Sequence, residues 1–174
     1  MDDLQPEENQ MDFEEIASSE ADARAARAVT HHHHRMAGAL ALRAETLTAR
    51  ARAGRERAAA DARDDLARWC RTDLVPHAVA EEDTLYRVAA GRAEGRLLVE
   101  AMLAEHEAIL RHVDGLAAAD CAVDAAVAAG ALRAVFEVHL AKENDQVLPL
   151  LVADPDVSVA ELLGSLHELV GSHD

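Results

Sequence analysis

Apolar residues recur at three- and four-residue spacing along four long stretches of the chain, the pattern of helices that each bury one face. The first stripe reads Val29, Met36, Leu40, Ala44 and Leu47, and the second Leu66, Cys70, Leu74, Leu85 and Val88. The third carries Val99, Met102, Ile109, Leu110, Val113 and Leu116, and the fourth Leu132, Phe136, Val147 and Leu150. Breakers separate the stretches at Gly54, at Gly91 and Gly95, at the segment Ala118 to Cys121, and at Asp154-Pro155-Asp156. After that last stop, Ser158-Val159-Ala160-Glu161 reads as a capping box that opens a short fifth helix. Alternating Val/Ile/Thr runs, from which strands are built, are missing. Four long helices joined by short connections pack as antiparallel neighbours. The expected fold class is therefore all-α, an up-down-up-down four-helix bundle over residues 21–152 with a short capping helix in 153–174. Residues 1–20 hold no basic side chain and no sustained apolar period, so an acidic, disordered or loosely attached tail is expected there.

Each stripe has a gap where a bundle would normally place leucine. The gaps are filled by His33, by His77 with Glu81, by His106, and by His139 with Glu143. Folding a bundle at its turns brings residues equidistant from a turn to one height. The midpoint between 33 and 77 falls beside Gly54, that between 77 and 106 at Gly91, and that between 106 and 139 beside the Ala118 to Cys121 break. The three reflections place all four histidines in one layer. Glu81 and Glu143 each follow a histidine by four residues and so share its face. The second and fourth helices also echo each other, with HAVAEED from His77 and HLAKEND from His139.

Composition narrows the function classes. The 33 acidic residues against 17 Lys plus Arg give a formal charge of -16. That leaves no surplus of cations for nucleic acid, and an anionic membrane surface would repel the chain. No apolar run approaches the roughly 18–20 residues of a spanning helix. The acidic N-terminus does not read as an export signal, and two cysteines, Cys70 and Cys121, make no disulfide framework, so a cytoplasmic location is expected. Ten histidines in so acidic and aromatic-poor a chain are the anomaly.

Two buried carboxylates left unpaired would each cost several kcal/mol, a cost that a bound metal offsets. A mixed nitrogen and oxygen donor set suits iron, manganese or zinc, and six donors with two carboxylates able to bridge suit two ions better than one. The Glu-x-x-His spacing of ferritin-type centres is on neither ligand-bearing helix, and His106-Glu107-Ala-Ile-Leu is no HExxH zinc-protease motif.

The order H…HxxxE…H…HxxxE on four helices resembles the hemerythrin-like, HHE cation-binding domain family. The segments that carry the resemblance are THHHHRMAGAL, LVPHAVAEEDTLY, VEAMLAEHEAIL and VFEVHLAKENDQVLPLL, over roughly residues 25 to 152. It implies two iron ions with a bridging oxygen species, binding O2 or related small ligands. The implied ligands are His33, His77, Glu81, His106, His139 and Glu143, with both glutamates bridging. Two features depart from the oxygen carriers. Met102 and Leu110 stand where a second histidine would flank His106, and Asn144 stands where those members carry an aspartate. The pattern is closer to the bacterial and F-box-associated branch, which shifts the expectation from reversible O2 carriage to sensing or peroxide chemistry.

Only one of His31 to His34 need face the core; His33 fits the stripe best, and His32 is the alternative. Glu82 and Glu105 adjoin ligand positions and are candidate acceptors for imidazole N–H groups, with solvated helix charges as the other reading. Tyr86 lies a turn and a half beyond Glu81 at helical spacing and reads as packing. His112, His167 and His173 read as surface or cap groups, and the cysteines as small hydrophobes.

The expected function is that of a non-haem di-iron protein binding O2, nitric oxide or peroxide. If it turns over a substrate, the class is peroxidase/catalase-like or ferroxidase-like. The expected partner is a small diatomic ligand or peroxide, with no nucleic acid, no membrane and no identified protein partner for the tail. Two other classes compete: a metal-free helical interaction or phosphotransfer bundle, for which His112 beside Arg111 is the only candidate, and an iron storage or delivery protein.

Overall fold

The computed structural model describes residues 12–170, with side chains to residue 164. Among the described residues there are helices and turns and no strand. A short helix α1 (Phe13–Ile16) leads into α2 (Glu20–Arg52), the first long rod. The second rod is α3 (Glu56–Trp69), α4 (Val75–Glu81) and α5 (Arg87–Ala90), joined without a break by π-helical turns at Cys70–Leu74 and Glu82–Tyr86. The third rod is α6 (Gly95–Ala117). The fourth is α7 (Ala122–Lys142), a π-helical turn at Glu143–Val147, and α8 (Leu148–Val152). A final helix, α9 (Val159–Val170), follows. In the helical bundle, α2 packs against α7 and α3, and α6 against α7 and α3. No described helix is long and apolar enough to cross a membrane.

The turns form where the breakers stand. Gly54 ends the first rod at φ +65°, a left-handed conformation that glycine adopts without a Cβ penalty. At Gly95 any Cβ would collide with the Ala89 carbonyl, so the third rod can begin this close to the second only with glycine. Two of the three π turns have a proline behind them. A proline ring inside a helix clashes with the carbonyl four residues earlier. For Pro76 and Pro149 those carbonyls belong to Thr72 and Asp145, both inside π turns. The third π turn has no proline; there Thr84 Oγ1 donates to the Ala80 carbonyl at 2.6 Å and competes with the backbone for it.

The core falls into two apolar clusters, one around Leu40, Leu66, Ile109 and Phe136, the other around Leu85, Met102, Leu148 and Leu151. Most of the expected stripe positions are buried. Val88 and Leu150 are only half-buried, and Leu110 is 43% exposed. Leu110 sits about 100° around the helix from Ile109, the residue that points inward.

The expectation of a loosely attached segment over residues 1–20 does not hold for the part that the structure describes. Residues 1–11 lie outside the described residues, but from Asp12 the chain is docked. Phe13 is 2% exposed within the second cluster, and the Ser18 N–H donates to the Val152 carbonyl at 2.7 Å. Ile16 and Ala17 pack against the same cluster and complete the anchor. Helix α9 also departs from expectation, because it lies along the flank made by α2, α4 and the Glu82–Tyr86 turn instead of covering an end. Buried Asp22 clasps it there. One carboxylate oxygen accepts from Ser19 Oγ at 2.5 Å, and the other from Ala160 N at 3.0 Å and Ser158 Oγ at 3.2 Å. Burial alone would raise this carboxyl, but these donors outweigh it and hold the pKa below its ordinary 3.8.

Candidate metal centre

All six predicted donors meet between the two apolar clusters. His33 comes from α2, His77 and Glu81 from α4, His106 from α6, His139 from α7, and Glu143 from the π turn that follows α7. Each is buried, and both glutamates are almost fully so, with Glu81 1% exposed. Within the His31 to His34 run, His33 is buried in the layer, and His31, His32 and His34 are exposed.

Glu81 joins the two halves of the layer. Its Oε1 lies 3.2 Å from His33 Nε2 and 3.0 Å from His77 Nε2, and its Oε2 lies 3.9 Å from His106 Nε2. Glu143 Oε2 sits between halves, 3.7 Å from His33 Nε2 and 3.6 Å from His139 Nε2. The Nε2 atoms of His106 and His139 are 3.0 Å apart. Two donor groups result, His33 with His77, Glu81 and Glu143, and Glu81 with His106 and His139. Glu81 belongs to both.

Three of the inner donor atoms lack a well-formed hydrogen bond. His77 Nε2, Glu81 Oε2 and Glu143 Oε2 are buried without a hydrogen bond. Buried polar atoms in native proteins are almost always paired. Three orphaned lone-pair donors facing one another are therefore the arrangement a cation would complete.

Charge is divided unevenly within the layer. For Glu81, burial pushes the pKa up, but the adjacent His77 and His33 outweigh it and hold the carboxyl well below its ordinary range. Glu143 goes well above, because burial and the Glu81 charge both disfavour a second anion. Burial and the neighbouring His106 push His139 down to about 4, so it is a neutral donor at physiological pH. His77 moves up, since the Glu81 charge overcomes its burial.

The outer imidazole nitrogens are held too. His33 Nδ1 donates to Asn144 Oδ1 at 2.7 Å, His106 Nδ1 to Glu82 Oε1 at 2.7 Å, and His139 Nδ1 to Glu105 Oε2 at 3.2 Å. These bonds turn each Nε2 inward, as metal-binding histidines require. Glu82 and Glu105 are therefore in the acceptor role, not the solvated one.

Two residues escaped the sequence reading. Asn144 was noted only as a substitution, yet it orients His33. Tyr86, read as packing, belongs to the layer: its hydroxyl donates to Glu143 Oε1 at 2.5 Å, lies 3.3 Å from His139 Nε2, and its ring stacks on His106 at 5.3 Å. The π turn explains the error. Bonding from i to i+5 brings Tyr86, five residues after Glu81, back to the face Glu81 occupies. Ordinary helical spacing hides that.

The family model for the hemerythrin HHE cation binding domain matches residues 24–151. This chain belongs to that family. No curated protein and no solved structure matches it. The match spans all four rods and every donor in the layer. As a hemerythrin-family domain the protein thus pairs a fold associated with cation binding with a buried histidine and carboxylate cluster suited to metal.

Proposed function

We propose that this hemerythrin-family chain holds two iron ions in the layer and binds a small oxygen-derived or diatomic ligand there, O2, nitric oxide or peroxide, in a sensing or peroxide-linked role. The observation that carries the reading is the sharing of Glu81 between two donor groups. A single-ion site would not need four imidazoles on four rods with one carboxylate reaching both halves. Nitrogen and carboxylate oxygen together suit iron, without the thiolates that copper(I) or zinc clusters favour. His33, His77, Glu81 and Glu143 would hold one ion, and Glu81, His106 and His139 the other. Glu143 reaches toward both through Oε2.

When bound, such an iron pair supplies reversible electron transfer and open coordination positions for a small ligand. The protein's own contribution follows from the geometry. Three Nδ1 contacts, to Asn144, Glu82 and Glu105, fix His33, His106 and His139 before metal arrives, which reduces the reorganisation that binding costs. The two apolar clusters close the layer above and below and keep bulk water from it. The Tyr86 hydroxyl donates to Glu143 Oε1 with the two oxygens 2.5 Å apart, and burial together with the nearby carboxylate pushes its pKa far up, so it stays a neutral donor. Its hydroxyl is hydrogen-bonded directly to the donor cluster.

Loading the metal-free protein anaerobically with Fe(II), then admitting air, tests the reading. Two irons per chain and oxygen-to-iron charge-transfer absorption are expected. One iron, or none, with a colourless protein would reject it.

A further inference from the structure

The six donors form a nearly symmetric inner set, but what stands behind them is not symmetric. Each half offers two imidazoles, Glu81 belongs to both donor groups, and Glu143 belongs to the His33/His77 group with its Oε2 reaching toward His139 as well. Glu143 Oε2 is almost equidistant from His33 Nε2 and His139 Nε2, at 3.7 and 3.6 Å. Behind the His106/His139 half stand two carboxylates. Glu82 accepts from His106 Nδ1 at 2.7 Å, and Glu105 accepts from His139 Nδ1 at 3.2 Å. Lys142, the only lysine in the sequence, pins the other oxygen of Glu105 in an ion pair. Behind the His33/His77 half stands a neutral amide, Asn144 Oδ1, at 2.7 Å from His33 Nδ1. His77 has the edge of the exposed His32 ring beside it, with centroids 5.1 Å apart, and no carboxylate outside the cluster among the described residues.

An imidazole whose outer N–H is held by a carboxylate is a stronger donor than one held by an amide, and removing such a partner typically costs about 10–100-fold in metal affinity. With two imidazoles and Glu81 on each side and Glu143 Oε2 set evenly between His33 and His139, the outer partners are the clear difference between the halves. We propose that Glu82 and Glu105 make the two metal positions unequal, so that the His106/His139 position fills first and the His33/His77 position second. Glu82 and Glu105 are positioning residues in this scheme, acting through His106 and His139 and touching no metal. The inference rests on the paired-metal reading above.

The test uses the full metal-free chain titrated with Co(II), whose visible absorption reports each filled position. The wild type should fill in two resolved steps. Glu82→Gln combined with Glu105→Gln should weaken the first step by roughly 10–100-fold and leave the second within a few-fold. Asn144→Asp should do the reverse of a loss, strengthening the second step toward the first. A purely structural role for these side chains would not produce that gain. Glutamine is isosteric and its amide oxygen can still accept from each Nδ1–H, so the metal-free variant should keep its helical fold, as read by circular dichroism. Two steps that shift together, or a second step that alone weakens in the Gln variant, would overturn the inequality while leaving the metal pair standing. A wild-type titration that ends at one equivalent would overturn the pair and the inequality with it.

Discussion

Replacing Glu143 by glutamine should move the stability of the metal-free and metal-loaded protein in opposite directions. In the metal-free layer Glu143 Oε2 is buried without a partner, and the Glu81 charge beside it opposes ionisation. The amide keeps an oxygen for the Tyr86 hydroxyl, which donates at 2.5 Å. It also turns an NH2 toward His139 or His33, whose Nε2 atoms lie 3.6 and 3.7 Å from the present oxygen. Satisfying one buried polar group is worth about 1–3 kcal/mol. For a chain of this size that raises the midpoint by about 2–4 °C per kcal/mol. The pH dependence has a definite sign. A carboxyl whose folded pKa is raised contributes stability below its ordinary 4.5 and loses it as pH rises through the raised value. Glutamine does not ionise, so the variant's advantage should be small at pH 5 and grow toward pH 8. With metal the order reverses. With each of two positions at a metal concentration 100 times its Kd, binding stabilises the wild type by about 5.4 kcal/mol, and a variant 100-fold weaker at both retains only about 0.8 kcal/mol. Denaturant melts of both proteins at pH 5 and pH 8, with and without Fe(II) under anaerobic conditions, measure all of these quantities. A metal-free Glu143→Gln protein less stable than wild type at pH 8 would refute the reasoning, since it would make the carboxylate a satisfied structural partner.

Four further outcomes are expected. Tyr86→Phe removes a donor that favours the charged form of Glu143, so the carboxyl should move further up and the pH at which metal begins to bind should rise, as read by metal affinity measured from pH 5 to 8. His33→Ala should eliminate one of the two bound ions, whereas His32→Ala should leave metal stoichiometry intact, by metal analysis of the loaded proteins. Asp22→Asn should cost about 1.5–3 kcal/mol through the lost charge-assisted bonds and expose the amides at the start of α9 to hydrogen exchange. Because the Asp22 pKa is lowered, the stability it contributes is present above 3.8 and is lost as pH falls through the lower folded value, so exchange at α9 should also rise in wild-type protein under acid.

What the chain discloses about itself depends on which helical period operates. The four histidines could be placed in one layer because reflection about Gly54, Gly91 and the Ala118 to Cys121 break needs only straight rods and short turns, and the turns do fall there. Glu81 and Glu143 followed from an i to i+4 step that stays within, or ends at, an α-helical segment. The same arithmetic failed at Tyr86, because a π turn intervenes between it and Glu81. A warning was present at two of the three such turns in Pro76 and Pro149, whose rings force the preceding turn to widen. At the third the only local sign was Thr84, a residue able to bond backward to the Ala80 carbonyl. All three turns lie on the two rods that carry HxxxE, and two of them begin at or immediately after the glutamate. The widened turns thus sit where the rods must turn a carboxylate, and a tyrosine behind it, into a layer that imidazoles from the other rods already occupy. That relation between backbone and chemistry is three-dimensional, and a uniform 3.6-residue reading cannot contain it.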